Sequence, residues 1–193
     1  MSTCTRETFL ADVAKHQMKL VRNDGLYRHL EFKGEHGRHH WFEIVTWPGV
    51  LVIHGDMETW VFSRLEDMFQ FFRGDRINAD YWQEKLQCAR DDAKVFSEEA
   101  LREQVTYHLQ NHELNEEQRK EVLEALKEEV FAHGDSEHDA LEALFDFSKH
   151  GVSFEPYDGP FGKEWSYHYT WCLWAIVWGI QQFYKATASE AAA

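Results

Sequence analysis

An α+β fold, a small antiparallel meander sheet packed against a predominantly helical remainder, is what this 193-residue sequence predicts, on three observations. Residues 26–63 hold short strand-like runs broken by the turns Trp47-Pro48-Gly49 and Gly55-Asp56. From residue 78 onward the pattern becomes helical, with Asn78, Ser97, Asn115 and Ser136 each placed where a helix N-cap belongs. The last helix, 164–185, is aromatic on nearly every side, so it belongs at the centre of the fold rather than on its surface.

Taken in order, Thr5 to Leu20 predicts an opening helix, with Phe9, Leu10, Val13 and Met18 as a partial apolar stripe. Asn23-Asp24-Gly25 is a turn, and Leu26 to Lys33 alternates as a half-buried strand does. A Gly/His loop, Gly34 to His40, leads to strands at Trp41–Thr46, Val50–His54 and Thr59–Phe62. Ser63-Arg64-Leu65-Glu66 matches a capping box, so a helix is expected from there to Arg73. Further helices are expected to end near Arg90, Asn111, Ala132 and Gly151. Pro156 to Gly162 is a Gly/Pro-rich break before the final helix. No repeat and no long linker divides the chain, which reads as one domain over 1–193: sheet-rich at 26–63, acidic and helical at 78–150, and aromatic at 164–185.

The chain is 44% hydrophobic, with 14 Phe, 8 Trp and 7 Tyr, ample for a packed core and against intrinsic disorder. Cys4, Cys88 and Cys172 are odd in number and never in a CxxC pair, which suits a reducing compartment. No signal-peptide pattern opens the chain, and the most apolar run, Trp171 to Ile180, is half the ~20 residues a membrane span needs. A cytoplasmic protein without membrane contact is expected. The formal charge of −14 is uneven: residues 1–90 carry 12 Lys+Arg against 13 Asp+Glu, whereas residues 91–150 carry 6 against 17. Such a field opposes direct nucleic-acid binding, which needs cations to displace counterions, and favours a partner with a basic surface.

Two sets of residues are candidates for binding. On the helix from Asn115, Glu117, Glu121, Glu124 and Glu128 fall in one arc, with Val122, Leu126 and Val130 opposite. Their spacing sets carboxylates about 4.5–6 Å apart along the axis, a row able to imitate nucleic-acid phosphates. The plainer reading is a solvated face supported by Glu116–Lys120 at i,i+4. The second set surrounds the Gly55-Asp56 turn. There His54, Asp56 and Arg64, with Trp47 and Trp60 beside them, could form an anion cup with aromatic walls for a small nucleotide. The plainer reading there is a closed turn and core tryptophans.

No metal and no cofactor are expected. His108 and His112 are at i,i+4, but residue 109 is Leu, so the HExxH pattern is absent. The histidines between Gly34 and His40 read as an exposed loop. No GxSxG, P-loop or GxGxxG is present, and the adjacent pairs Asp91-Asp92 and Glu98-Glu99 diverge on a helix. An enzyme would need a site these motifs do not describe.

Trp47-Pro48-Gly49, Gly55-Asp56-Met57, Thr59-Trp60, Phe62-Ser63-Arg64 and Asp67-Met68-Phe69 with Phe71-Phe72-Arg73 together resemble a motif of small uncharacterised bacteriophage and prophage proteins. The likeness extends to Thr8-Phe9-Leu10, Arg28-His29, Tyr81-Trp82 with Lys85-Leu86, and Tyr169 to Gly179. The acidic middle shares least with it. The resemblance implies no activity and no site residue. It implies a setting, the cytoplasm of an infected bacterium, where anti-CRISPR-like, nucleic-acid-mimicking and other counter-defence or host-takeover proteins act. The expectation is a non-enzymatic binder using the acidic helical face, with nucleotide sequestration and an unrecognised enzyme as alternatives. The aromatic last helix suits burial either against its own sheet or against a second copy, the latter making a homodimer, and both arrangements are open to this sequence.

Overall fold

The computed structural model of the protein describes residues 3–35 and 39–191. The fold is α+β. A five-stranded antiparallel meander is built from β1 (His16–Asp24), β2 (Tyr27–Gly34), β3 (Phe42–Trp47), β4 (Val50–Gly55) and β5 (Glu58–Ser63), in that order across the sheet. Seven α-helices accompany it among the described residues: α1 (Arg6–Asp12), α2 (Met68–Phe71), α3 (Ala79–Gln83), α4 (Glu98–Leu109), α5 (Glu116–Glu129), α6 (Glu137–Asp146) and α7 (Tyr167–Ala191). Contacts gather these elements into two compact units, residues 1–93 with 165–193 and residues 94–164.

In the first unit the alternation of the strands decides the layers. Leu30 and Phe32, Phe42 and Ile44, Leu51 and Ile53, and Trp60 and Phe62 are all fully buried on one face. Helix α7 lies on that face with Tyr169, Trp171, Leu173, Ile176 and Ile180 inward. Gly179 is the point of closest approach: a Cβ there would stand 2.7 Å from Ile44 Cδ1 and 3.2 Å from the Phe32 ring. The aromatic last helix therefore covers its own sheet. Trp171 Nε1 donates to Asp12 Oδ2 at 2.9 Å, and Trp174 Nε1 donates to the Cys4 carbonyl at 3.2 Å, tying α1 to α7.

Three expectations for this unit need correction. The helix expected from Asn78 to near Arg90 ends at Gln83, because the chain beyond it turns back to β5, where Leu86 bridges Phe62. The opening helix stops at Asp12, and His16–Asp24 is a strand. His16, Met18 and Leu20 alternate with exposed neighbours, and Met18 and Leu20 pair across the ladder with Phe32 and Leu30. The sheet partner outweighs a weak helical stripe that could bury little by itself. The helix expected to start at Ser63 does not, because Ser63 is a β5 residue paired with Val50. Asp67 caps the short α2 in its place, accepting from Phe69 N at 3.0 Å.

In the second unit α4, α5 and α6 enclose a core of Leu101, Val105, Val122, Leu126, Val130 and Leu144, with Phe154 and Phe161. Their starts are local side-chain chemistry. Ser97 accepts from Ala100 N, and Ser136 accepts from Asp139 N. Asn115 and Gln118 make a reciprocal capping box at 2.8 and 3.1 Å. After α6 the chain makes a hairpin of two-residue strands, β6 (Ser148–Lys149) with β7 (Val152–Ser153), where continued helix was expected. His150 and Gly151 turn it with φ of 51° and 76°, a left-handed geometry that ends any helix before it. Residues 94–164 carry 7 Lys+Arg against 18 Asp+Glu, so the charge asymmetry coincides with a folding unit.

Candidate partner-binding surface

Helix α5 is amphipathic, with Leu123 as an exposed apolar exception. Val122, Ala125 and Leu126 are buried, and Glu117, Glu121, Glu124 and Glu128 are all exposed on the turns between them. Two of the four have local cations. Glu121 accepts from His150 Nε2 at 2.6 Å, and this hydrogen bond holds its carboxyl below the ordinary carboxylate value. Glu124 has Lys120 Nζ at 4.0 Å, both side chains well exposed. A pair of that kind contributes at most a few tenths of a kcal/mol. Among the described residues Glu117 and Glu128 have no ion pair, so the row keeps most of its negative charge facing solvent.

The same unit holds an open cleft of about 440 Å³ between α4 and the loop 158–161. Its walls are aromatic, from Tyr107, His108 and Phe161, and its polar groups include Glu103 and Asp158. The His108 ring lies 4.8 Å from that of Phe154, and His112 is 5.1 Å from His108. Among the described residues this histidine pair gains no third ligand. Tyr107 is 70% exposed and Tyr157, one residue before the cleft loop, is 82% exposed. Exposed tyrosines beside carboxylates suit the apolar stem and charged head of a lysine or arginine. The sequence carries only a faint signal of this cleft: a tyrosine on the polar side of α4 and a Gly-Pro turn facing it.

No family model, curated protein or solved structure matches this chain.

The five residues expected to form a cup in the sheet-rich region are not brought together. Trp60 is a core residue, 1% exposed and 5.1 Å from the Tyr169 ring. Asp56 sits on its turn, accepting from His40 N at 2.9 Å, and His54 bonds Thr59 Oγ1 at 2.8 Å beside it. Trp47 and Arg64 belong to the opposite end of the strands, since Trp47 pairs with Val50 and Arg64 follows Ser63, the other partner of Val50. Val50 and His54 are four steps apart along β4, about 13 Å at the usual strand rise. Trp47 instead lines a shallow surface depression with Tyr27 and Val45. In the Gly/His loop, His36, Gly37 and Arg38 lie outside the described residues.

Cys172 is buried beneath the sheet, where desolvation pushes its thiol well up, and burial likewise raises Cys4 to about 11. Both thiols are thus poor nucleophiles at neutral pH. Among the described residues no helix is long and apolar enough to cross a membrane.

Proposed function

We propose that the protein is a non-enzymatic binding protein of a bacteriophage or prophage, acting in the cytoplasm of the infected cell. It blocks a host defence or nucleic-acid-handling protein by presenting the acidic face of α5 to a basic surface. The observation that carries this reading is the solvent-facing row Glu117, Glu121, Glu124 and Glu128, backed by a unit with 18 acids against 7 bases. Carboxylates about 4.5–6 Å apart lie within one Debye length of each other at physiological salt, so a cationic partner feels them together. The phage setting comes from the sequence motif, and the helices supply the physics.

The reading makes capture salt-sensitive. Immobilised protein exposed to extract of a bacterial host should retain a specific protein that elutes as ionic strength rises, because charge pairing at a surface weakens with screening. Retention that persists undiminished in high salt would favour an apolar contact and count against the acidic row.

A further inference from the structure

The open face of the meander carries a second cluster, independent of the acidic helices. Strand register places Lys19, Glu31, Glu43, His54 and Thr59 in one cross-strand row on the face away from α7. His29, two residues before Glu31, stands on the same face. Glu31 and Glu43 are direct partners on neighbouring strands, a placement in which like charges repel. Their side chains are only 31% and 26% exposed, so water screens the repulsion incompletely. Lys19 Nζ is 3.4 Å from Glu31, but that lysine is 65% exposed and such a pair offsets little. His29 Nε2 approaches Glu43 Oε2 to 2.7 Å.

We propose that His29, Glu31 and Glu43 form a binding site for a divalent first-row transition metal such as zinc or manganese. One ligand atom from each of the three lies within 4.8 Å of the others. Metal bonds of about 2.0–2.2 Å to such donors need them roughly 3–4 Å apart, a separation reached by small side-chain rotations. One imidazole with two carboxylates is a mixed N/O set that suits these ions. A cation placed there replaces the His29–Glu43 hydrogen bond and neutralises the opposed glutamates, displacing Lys19. His54, the partner of Glu43 on β4, is bonded through Nδ1 to Thr59 Oγ1 at 2.8 Å and is not one of the three donors, so water would complete the ion's coordination. The backbones of the three donors are already fixed on adjacent, hydrogen-bonded strands, which lowers the ordering cost of binding.

The test titrates zinc chloride, then manganese chloride, into the metal-free full chain by calorimetry, and follows amide broadening by Mn²⁺ in NMR spectra. One ion should bind, with broadening centred on residues 29–31 and 43. H29Q and E43Q should each weaken binding by about tenfold or more, with circular dichroism unchanged. E142Q should leave it intact, since His138, Asp139 and Glu142 form an exposed cluster on a single helix. Absence of saturable binding, broadening centred elsewhere, or affinity unaltered in both H29Q and E43Q would overturn the site.

Discussion

Arg28 of β2 and Asp67 at the start of α2 meet in a two-pronged ion pair, with guanidinium–carboxylate distances of 2.7 and 3.2 Å across 39 residues of sequence. The guanidinium also lies over the Phe69 ring at 4.5 Å, and Asp67 caps α2 at the same time. Burial acts to raise the Asp67 carboxyl, but the hydrogen bonds from Arg28 and the backbone outweigh it and leave it below its ordinary 3.8. A depressed carboxylate contributes stability that is present above 3.8 and lost as pH falls through its lower folded value. Urea midpoints measured at pH 5 and pH 2.5 should drop more for the native chain than for D67N. D67A at neutral pH should cost about 2–4 kcal/mol, because it removes a cap and leaves the Arg28 side chain, only 12% exposed, without its carboxylate. A D67A chain as stable as the native one would show that the pair is ornamental.

At Gly179 two effects of opposite sign compete. Alanine in a helix interior is favoured over glycine by about 1 kcal/mol. The added methyl, however, meets Ile44 and Phe32 in a packed core, where overpacking costs about 1–3 kcal/mol. The contact should win, so G179A lowers the thermal midpoint. A rise would mean that α7 can lift off the sheet without loss.

Thiol accessibility should separate the cysteines. Cys88 is exposed, while Cys4 and Cys172 are buried with raised thiols. An aromatic disulfide reagent at pH 8 should label one thiol quickly in the folded protein and three after denaturation. Rapid labelling of more than one would contradict the packing of α7.

Helix caps were legible because they are local. Ser97, Asn115 and Ser136 bond amides three residues on, and those bonds need no knowledge of the rest of the fold. Replacing Asn115 with alanine should accordingly cost about 1 kcal/mol in denaturant unfolding, and an unchanged midpoint would show that the box is not needed to start α5. The strands were legible where turn residues bounded them. His16–Asp24 was not, because its stripe fits a helix until the register with β2 is known. The same gap hid the chemistry of the sheet. Trp60 shares a face with Phe62 and so belongs to the core, and Glu31, Glu43 and His54 become neighbours only through pairing across three strands. The acidic row could be found in advance because helical periodicity alone puts four glutamates on one side.

The central claim is that the exposed glutamates of α5 are what a basic partner recognises. Its most direct measurement is the affinity of the host protein retained on the column for the native chain and for a variant carrying Glu117→Lys, Glu121→Lys, Glu124→Lys and Glu128→Lys together. All four side chains are exposed, so the far-ultraviolet spectrum and melting behaviour should be close to native. Affinity should fall by about a hundredfold or more, within the range that surface fields contribute to association. Equal affinity in the folded, charge-reversed variant would contradict the account.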